Sequence, residues 1–178
     1  TNERFMPHLH LSVQAGHDLI LKRMRRRHTR LDVLSCVRRA RLLRPNITFG
    51  ADLIAGFPTE TQSMFESTQD LVEECNFEFL HVFPYSIRKG TPAARMPMVP
   101  VELRSERAKN LRSLGQKIQS SFFSQSLGNK AAILVETPDF GRTENNIPVK
   151  LLTLDKPNSI KTVALTDIGD KAILGRIV

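Results

Sequence analysis

Cysteine and aromatic residues are scarce in this sequence. Its 178 residues include two cysteines, one tyrosine and no tryptophan. Cys36 and Cys75 stand far apart in the chain, and each falls on an apolar position of a helical pattern. We therefore expect two reduced thiols in the core rather than metal ligands.

Long apolar runs and a leader segment are also lacking. No stretch approaches the roughly 18 uninterrupted apolar residues of a membrane span, and residues 1–7 lack the charged-then-apolar pattern of a signal peptide. These absences predict a cytoplasmic protein with no membrane partner. Because the first residue is Thr1 and a strand-like run starts at Leu9, we interpret the chain as a fragment whose natural beginning is missing.

Acidic residues are outnumbered by basic ones. The chain has 26 Lys and Arg against 18 Asp and Glu, which gives a net charge of +8 and a pI near 10.0. Residues 17–45 carry a net charge of +8, whereas residues 46–100 carry −4. The basic charge is therefore a patch, which favours a polyanionic partner.

Short apolar runs alternate with helical patterns in the first half of the chain. The runs Leu9 to Val13, Ile47 to Ala55 and Phe79 to Phe83 predict strands, and the longer segments between them have helical periodicity. Strand followed by helix, repeated, predicts an α/β fold with a parallel sheet. Three such strands cannot close a barrel, so the sheet either has an open edge or belongs to a larger sheet.

The second half begins with a proline-rich connection and a long amphipathic helix. Leu103, Leu111 and Ile118 share one face of this helix with the aliphatic stem of Arg107, whose charged head we expect to reach water. Gly128 is the predicted end of the helix. Short β-type runs separated by turn signals follow and predict a small barrel of a kind that often binds nucleic acid. We therefore divide the chain into domains at residues 1–123 and 124–178.

Polar residues and glycines stand where the predicted parallel strands end. Ser12 to Gly16, Asp52 to Glu60 and Phe83 to Ser86 are such segments, and α/β folds bind ligands at this edge of the sheet. Glycine lets the backbone approach a flat ligand, and Gln or Ser can bind ribose hydroxyls. The alternative is that these segments are turns that close buried strands.

Charged and histidine side chains leave several interpretations open. The arginines at positions 23, 25, 26 and 27 suit a cofactor carboxylate or an RNA backbone, or they form a solvated face. The spacing of His8, His10 and His81 does not resemble a zinc site. We expect core or rim roles for these histidines, and no metal ligand in the chain.

Several motifs of the chain, in order and spacing, resemble those of the radical SAM tRNA methylthiotransferases. The resemblance is carried by residues 7–16 (PHLHLSVQAG), 24–29 (MRRRHT), 52–61 (DLIAGFPTET), 81–86 (HVFPYS) and 90–94 (GTPAA), and residues 141–146 (GRTENN) are similar to the TRAM domain of these enzymes. Within the family, residues 81–86 and 147–151 resemble the MtaB branch, which modifies threonylcarbamoyladenosine beside the anticodon.

This resemblance implies a fold and a chemistry. The expected fold is the C-terminal part of a radical SAM partial TIM-type barrel, followed by a small all-β TRAM barrel. The expected activity is insertion of a methylthio group at C2 of the adenine of a tRNA, with S-adenosylmethionine and 4Fe-4S clusters as cofactors.

The resemblance also assigns residues to the two ligands. For S-adenosylmethionine it implies that Ser12 and Gln14 face the ribose, that Ile54 and Gly56 lie against the adenine, and that Arg25 or Arg27 pairs with the carboxylate. For tRNA, charge and position near the family motif point to Arg23, Arg26, Arg142, Asn145 and Lys150.

Departures from the family pattern limit these expectations. The C-x-x-x-C-x-x-C triplet of the radical-generating cluster is absent from the sequence, so we assign no catalytic residue to this chain and expect it to be inactive alone. Ala15, His28 and Lys89 replace the usual Ser, Tyr and Pro. The alternatives are a non-catalytic RNA-binding module, or a sister methylthiotransferase that acts on other modified adenosines or on a ribosomal protein. Nothing in the sequence predicts the oligomeric state.

Overall fold

The structure is a computed structural model that describes residues 4–178. It divides into two compact units. The sheet unit comprises Leu9–Pro45 and Phe49–Ile118. The barrel unit comprises the described residues up to His8 together with Asn46–Thr48 and Gln119–Val178. The boundary that we place between residues 123 and 124 stays a prediction.

Helices and strands follow one another along the described part of the chain. In chain order they are β1 (His8–Gln14), α1 (Asp18–Arg23), α2 (Arg30–Leu43), β2 (Thr48–Ala55), α3 (Gln62–Cys75), β3 (Phe79–Pro84), a 3-10 turn (Pro92–Arg95), α4 (Val101–Ser126), β4 (Lys130–Thr137), β5 (Phe140–Thr143), β6 (Pro148–Leu151), β7 (Ile160–Ile168) and β8 (Ile173–Ile177).

A three-stranded sheet forms the centre of the sheet unit. Its strand order is β1-β2-β3, and β2 and β3 run parallel, with Gly50 opposite Phe79 and Ala55 opposite Pro84. Alternate residues of β2, including Phe49, Ala51 and Leu53, are fully buried, whereas Asp52 and Ile54 on the other face are half-buried. The predicted α/β architecture with a parallel sheet is confirmed.

Local side-chain chemistry explains where the helices of this unit begin and end. A capping box starts α2, because the Thr29 side chain accepts from Asp32 N–H while the Asp32 carboxylate accepts from Thr29 N–H. The Thr61 side chain caps α3 in the same position, and Asn76 ends α3 in the left-handed conformation, with φ of 46°.

Two residues differ from their predicted environments. Cys36 is exposed on α2, so its prediction as a core thiol is wrong, whereas Cys75 is buried as predicted. The Arg107 guanidinium does not reach water, so that prediction is wrong. Its side chain is 4% exposed and forms an ion pair with Glu60, Nη1 to Oε1 2.8 Å, in which Glu60 is 2% exposed.

The strands of the barrel unit close into a barrel of order β4-β5-β6-β8-β7. All neighbouring pairs are antiparallel except β6 and β8, which are parallel. Val135, Val149, Val163 and Ile173 have no more than residual exposure and fill the interior. The predicted small β-barrel is confirmed, although β5 was not among the predicted strands. Among residues 4–178, none of the helices combines the length and the apolar character that crossing a membrane requires.

Candidate cofactor and nucleic-acid sites

The ends of the three sheet strands border two adjoining cavities in the sheet unit. The first, the rim cavity, has a volume of about 330 Å³ and is lined by Gln14, Ile54 and Tyr85 together with arginines. The second, the face cavity, has a volume of about 470 Å³ and shares Gln14, Ile54 and Tyr85 with the first, adding Asp52 and Phe83. Both lie at the edge of the sheet where the sequence predicts ligand binding.

Backbone and burial at the rim cavity fit a polar ligand. Gln14 ends β1 with φ of 71°, a conformation that costs a residue with a side chain about 1–2 kcal/mol, and it is 8% exposed. Tyr85 lies edge-on to Phe57, with ring centroids 5.2 Å apart. The Tyr85 hydroxyl is buried with no hydrogen-bond partner among the described residues. A bound ligand with hydrogen-bonding groups would satisfy it.

Three arginines of the basic patch lie at the rim cavity. Arg23, Arg25 and Arg26 line it, and Arg23 Nη1 donates to Thr59 Oγ1 at 2.5 Å. Arg25 has φ of 58° because it lies in the turn that follows α1. The cluster therefore faces a cavity of a size that suits a small anion-bearing ligand, and the role of Arg23 and Arg26 in tRNA binding stays a prediction.

The structure brings together only some of the residues predicted for the cofactor. Gln14, Arg25 and Ile54 line the rim cavity, whereas Ser12, Arg27 and Gly56 are not among its described lining residues. Arg88 lines both cavities and was not predicted. Its position between the motifs of residues 81–86 and 90–94 was the available signal.

Two predicted ligand-approach glycines lie against protein. A Cβ atom at Gly56, whose φ is +72°, would lie 2.2 Å from Arg104 Cγ of α4. A Cβ atom at Gly16 would lie 2.5 Å from Ser67 O and from Thr68 Cα of α3. At both positions a helix of the protein, rather than a ligand, packs so close to the backbone that a side chain would not fit.

The cysteines of the chain do not fit an iron-sulfur cluster. Cys36 is exposed on α2 and Cys75 is buried at the end of α3. Burial raises the pKa of the Cys75 thiol to about 11, so it is protonated at neutral pH. Cluster ligands are thiolates, usually four to a cluster, and this chain offers two cysteines, of which Cys75 is a protonated thiol.

A cationic and aromatic surface lies on the outside of the barrel. The Arg142 guanidinium stands over the Phe140 ring, 5.5 Å from its centroid, and Arg142 Nε is 3.4 Å from Glu136 Oε1. Lys150 pairs with Phe140 across β5 and β6 and is exposed. Because alternate residues share a face of a sheet, Phe140, Arg142 and Lys150 form one outward surface, here called the barrel face.

Asn145 holds a turn of the barrel unit. Its side-chain oxygen accepts from the Thr143 hydroxyl at 2.7 Å, and its backbone oxygen accepts from the Thr48 hydroxyl at 2.7 Å. These bonds give Asn145 a structural role, and its contact with tRNA stays a prediction.

A cluster that sequence reasoning missed lies on the face of the sheet. His10, Asp52 and His81 come from β1, β2 and β3 and place their donor atoms within 4.8 Å of one another. Spacing along the chain hides the cluster because its members are about 30 to 40 residues apart. The sequence offered only a partial signal, since all three residues lie in predicted strands, and it is the register of the sheet that sets Asp52 opposite His81.

Comparisons with known proteins identify relatives over most of the chain. A sequence model of the Radical SAM superfamily matches residues 2–72. The threonylcarbamoyladenosine tRNA methylthiotransferase MtaB of Rickettsia prowazekii is 55% identical over 150 residues, which cover 84% of this chain and 36% of that protein. The tRNA-2-methylthio-N(6)-dimethylallyladenosine synthase of Mannheimia succiniciproducens is 40% identical over 181 residues, covering 96% of this chain and 38% of that protein.

The chain spans little more than a third of the length of these curated relatives. A third relative, the tRNA-2-methylthio-N(6)-dimethylallyladenosine synthase of Oceanobacillus iheyensis, is 41% identical over 162 residues, covering 86% of this chain and 31% of that protein. The Radical SAM match, residues 2–72, includes β1 and β2, which border both cavities. The chain therefore belongs to the radical SAM tRNA methylthiotransferase family.

Proposed function

We propose that this chain is part of a tRNA methylthiotransferase that adds a methylthio group to C2 of N6-threonylcarbamoyladenosine next to the anticodon. The observation that carries the proposal is the 55% identity to a relative named for that nucleoside, against 40% for the dimethylallyladenosine synthase of Mannheimia succiniciproducens. The barrel unit is the TRAM domain of this proposal, and the working compartment is the cytoplasm.

The sheet unit binds S-adenosylmethionine at the rim cavity. When bound beside a 4Fe-4S cluster, this cofactor supplies the radical that starts the reaction. Gln14 bonds the ribose, Ile54 packs on the adenine, and Arg25 pairs with the carboxylate, while Ser12, Gly56 and Arg27 support these contacts from the surrounding backbone and turn. The buried Tyr85 hydroxyl gains a partner from the ligand.

This chain on its own binds and orients, and does not generate the radical. Its sequence holds two cysteines, one exposed and one buried, which is fewer than the three thiolates that the radical-generating cluster needs. Methylthio transfer therefore requires cysteines that this sequence does not contain.

Binding of S-adenosylmethionine to the 178-residue chain tests the cofactor assignment. Isothermal titration should detect binding, and Arg25→Gln should weaken it by roughly tenfold or more, because a hydrogen bond to a charged group contributes about 1.5–3 kcal/mol. Arg39→Gln is the matched control, since Arg39 is an exposed residue of α2 away from the cavity lining. Equal affinity of the Arg25 variant and the control would remove Arg25 from the site.

The nucleoside content of tRNA tests the substrate. In a strain that lacks the gene, mass spectrometry of digested tRNA should show threonylcarbamoyladenosine without its methylthio derivative. Loss of the methylthio group from dimethylallyladenosine instead would assign the protein to the other branch. Unchanged tRNA together with a change in a ribosomal protein would move the substrate from RNA to protein.

A further inference from the structure

We infer that His10, Asp52 and His81 bind a divalent transition metal ion of the zinc type on the open face of the sheet. None of the three residues belongs to the set assigned above to S-adenosylmethionine or tRNA. The inference therefore stands or fails independently of the proposed function.

The three side chains come from three neighbouring strands and converge on one point. His10 Nε2 lies 2.9 Å from Asp52 Oδ1, and His81 Nδ1 lies 3.4 Å from the same oxygen. All the donor atoms fall within 4.8 Å of one another. Around a tetrahedral zinc ion with bonds of about 2.0–2.2 Å, neighbouring ligand atoms are about 3.3 Å apart. The cluster reaches that geometry with small side-chain shifts.

The rings are held in place by their packing. The His10 and His81 rings lie next to each other, with centroids 4.7 Å apart and planes tilted by 38°. Gly50 leaves the space for the His10 ring, because a Cβ atom at Gly50 would lie 2.2 Å from His10 Nδ1. Packing of Nδ1 against Gly50 directs Nε2 of the same ring towards Asp52. The ligand orientation is therefore built into the sheet before any ion arrives.

The chemistry of the donor set selects the class of ion. Two imidazole nitrogens and one carboxylate oxygen suit zinc and other first-row dications better than calcium or magnesium, which prefer oxygen ligands alone. The carboxylate supplies one negative charge to a site whose other ligands are neutral when they bind metal.

The site leaves room for a further ligand. The side chains of His10, Asp52 and His81 are 34%, 30% and 61% exposed, and Asp52 also lines the face cavity of about 470 Å³. Three protein ligands with an open position characterise zinc sites that take up water or a substrate oxygen, in contrast to closed structural sites. An ion bound here would lie beside the face cavity, which Asp52 lines, and would keep a position open to a further ligand.

Cobalt titration of the full 178-residue chain tests the inference. After removal of metal with a chelator, the chain should bind one Co²⁺ ion with the visible absorbance of a tetrahedral complex, and Zn²⁺ should displace it. His81→Gln and Asp52→Asn should each weaken Co²⁺ binding by at least roughly tenfold. Both positions are partly exposed, and circular dichroism verifies that the variants are folded.

His17→Asn is the matched control. It removes an imidazole outside the cluster and keeps a side-chain acceptor for the Leu19 N–H, which His17 caps at the start of α1. The control should bind Co²⁺ like the original chain. In a second measurement, Zn²⁺ should raise the unfolding temperature of the original chain and of the control, but not that of His81→Gln.

Three results would overturn the inference. These are no Co²⁺ binding by the original chain, equal binding by His81→Gln and the original, or an equal loss in the His17 control. Any of them would reduce the cluster to a hydrogen-bonded group in which the Asp52 carboxylate orients two imidazoles.

Discussion

The Arg107–Glu60 pair is a buried electrostatic contact of the sheet unit. Glu60 Oε1 accepts from Arg107 Nη1 at 2.8 Å and from Gly56 N–H at 3.0 Å. Arg107 Nη1 also donates to the Glu60 backbone oxygen at 3.0 Å, and the guanidinium lies over the Phe65 ring. Burial raises the pKa of Glu60, and the bonds from Gly56 and Arg107 offset part of that rise. The pair therefore ties α4 to the loop before α3.

Removal of Arg107 should destabilise the chain in a pH-dependent way. Arg107→Met leaves a buried carboxylate without its partner, which costs about 3–5 kcal/mol at neutral pH. In the variant the folded-state pKa of Glu60 rises further above its unfolded value. The folded variant can bury Glu60 in its neutral, protonated form. The stability of the variant is therefore retained below the unfolded pKa of Glu60 and is lost as the pH rises through the folded pKa.

Urea unfolding at several pH values measures this effect. The cost of Arg107→Met should shrink towards acid pH, whereas the control Arg39→Met, at an exposed position of α2, should change stability little at any pH. A cost independent of pH would mean that Glu60 is neutral in the folded protein.

Gly56 should be required by backbone conformation and packing, whether or not a ligand is bound. Gly56→Ala places a Cβ atom at φ of +72° and 2.2 Å from Arg104 Cγ. Gly90→Ala is a matched control, since Gly90 has φ of +83° but no atom within 4 Å of the position that a Cβ would take. We expect a cost of about 1–2 kcal/mol for the control and about 1–3 kcal/mol more for Gly56→Ala. Urea unfolding measures both costs, and equal values would show that Arg104 moves aside freely.

Residue identity predicted some of these features and not others. A glycine after a strand indicates close approach, but only the packing of α3 and α4 shows that protein approaches Gly16 and Gly56. Arg107 lies on an apolar helix face, and this local pattern predicts a snorkelling side chain. Its ion-pair partner Glu60 lies 47 residues away, so the pattern around Arg107 gives no sign of the pair. Long-range partners of this kind cannot be inferred from local pattern.

At the scale of elements, the capping box of α2 should contribute measurably to stability. Thr29→Ala removes the bond in which Thr29 Oγ1 accepts from Asp32 N–H and the bond from its hydroxyl to Asp32 Oδ2. Loss of an N-cap costs about 1 kcal/mol. The control Ser35→Ala, at an exposed position inside α2, should be neutral or slightly stabilising.

Part of the Thr29→Ala cost should disappear in acid. Hydrogen bonds from the Thr29 N–H and hydroxyl lower the pKa of Asp32. The stability they provide is present above the unfolded pKa and is lost as pH falls through the folded pKa. Thermal unfolding of the original chain and of Thr29→Ala should therefore converge as the pH is lowered. A difference in unfolding temperature that does not change with pH would indicate that the Thr29 hydroxyl makes no hydrogen bond to the Asp32 carboxylate.

The long helices were predicted well, whereas the short elements α1 and β5 were missed. The 14-residue helices α2 and α3 have enough turns for their apolar periodicity to emerge. Helix α1 has six residues and β5 has four, and neither length is enough to establish a period. β5 forms because β4 and β6 pair with its two edges, which is a tertiary cause.

At the scale of the whole molecule, uneven charge predicts unequal contributions to RNA binding. Residues 124–178 carry seven Lys and Arg against six acids, a net charge of +1. Residues 17–45 carry +8. We predict that the barrel face orients tRNA through Arg142 and Lys150, while the basic patch supplies more of the salt-dependent affinity.

Salt titrations of three charge-reversal variants of the full chain test this division. The Arg23→Glu, Arg26→Glu double variant should lose roughly one unit of log–log salt slope for each phosphate contact removed. The Arg142→Glu, Lys150→Glu variant should lose less slope. Lys156→Glu, Lys171→Glu is the control, with the same charge change at positions outside the barrel face. Equal losses in all three would assign binding to net charge alone.

The division into a parallel sheet and a barrel was predictable from the sequence. Which segments and side chains come together in space was not. Alternation of strands and helices followed by short strands predicts a parallel sheet and a barrel. That Asn46–Thr48 groups with the barrel unit rests on contacts such as Thr48 Oγ1 to the Asn145 backbone oxygen at 2.7 Å. The His10–Asp52–His81 cluster likewise depends on strand order, which one sequence does not reveal.

The contrast between a closed and an open sheet should be visible in amide hydrogen exchange. Every strand of the barrel has two hydrogen-bonded neighbours, whereas β1 and β3 each have one in the described part of the chain. In a strand with one neighbour, amides point alternately towards the partner and away from it. In deuterated buffer, β4 to β8 should therefore exchange slowly throughout, while β1 and β3 should show fast exchange at every second residue. Uniformly slow exchange along β1 would indicate that a further strand, from another copy of the chain, pairs with its free edge.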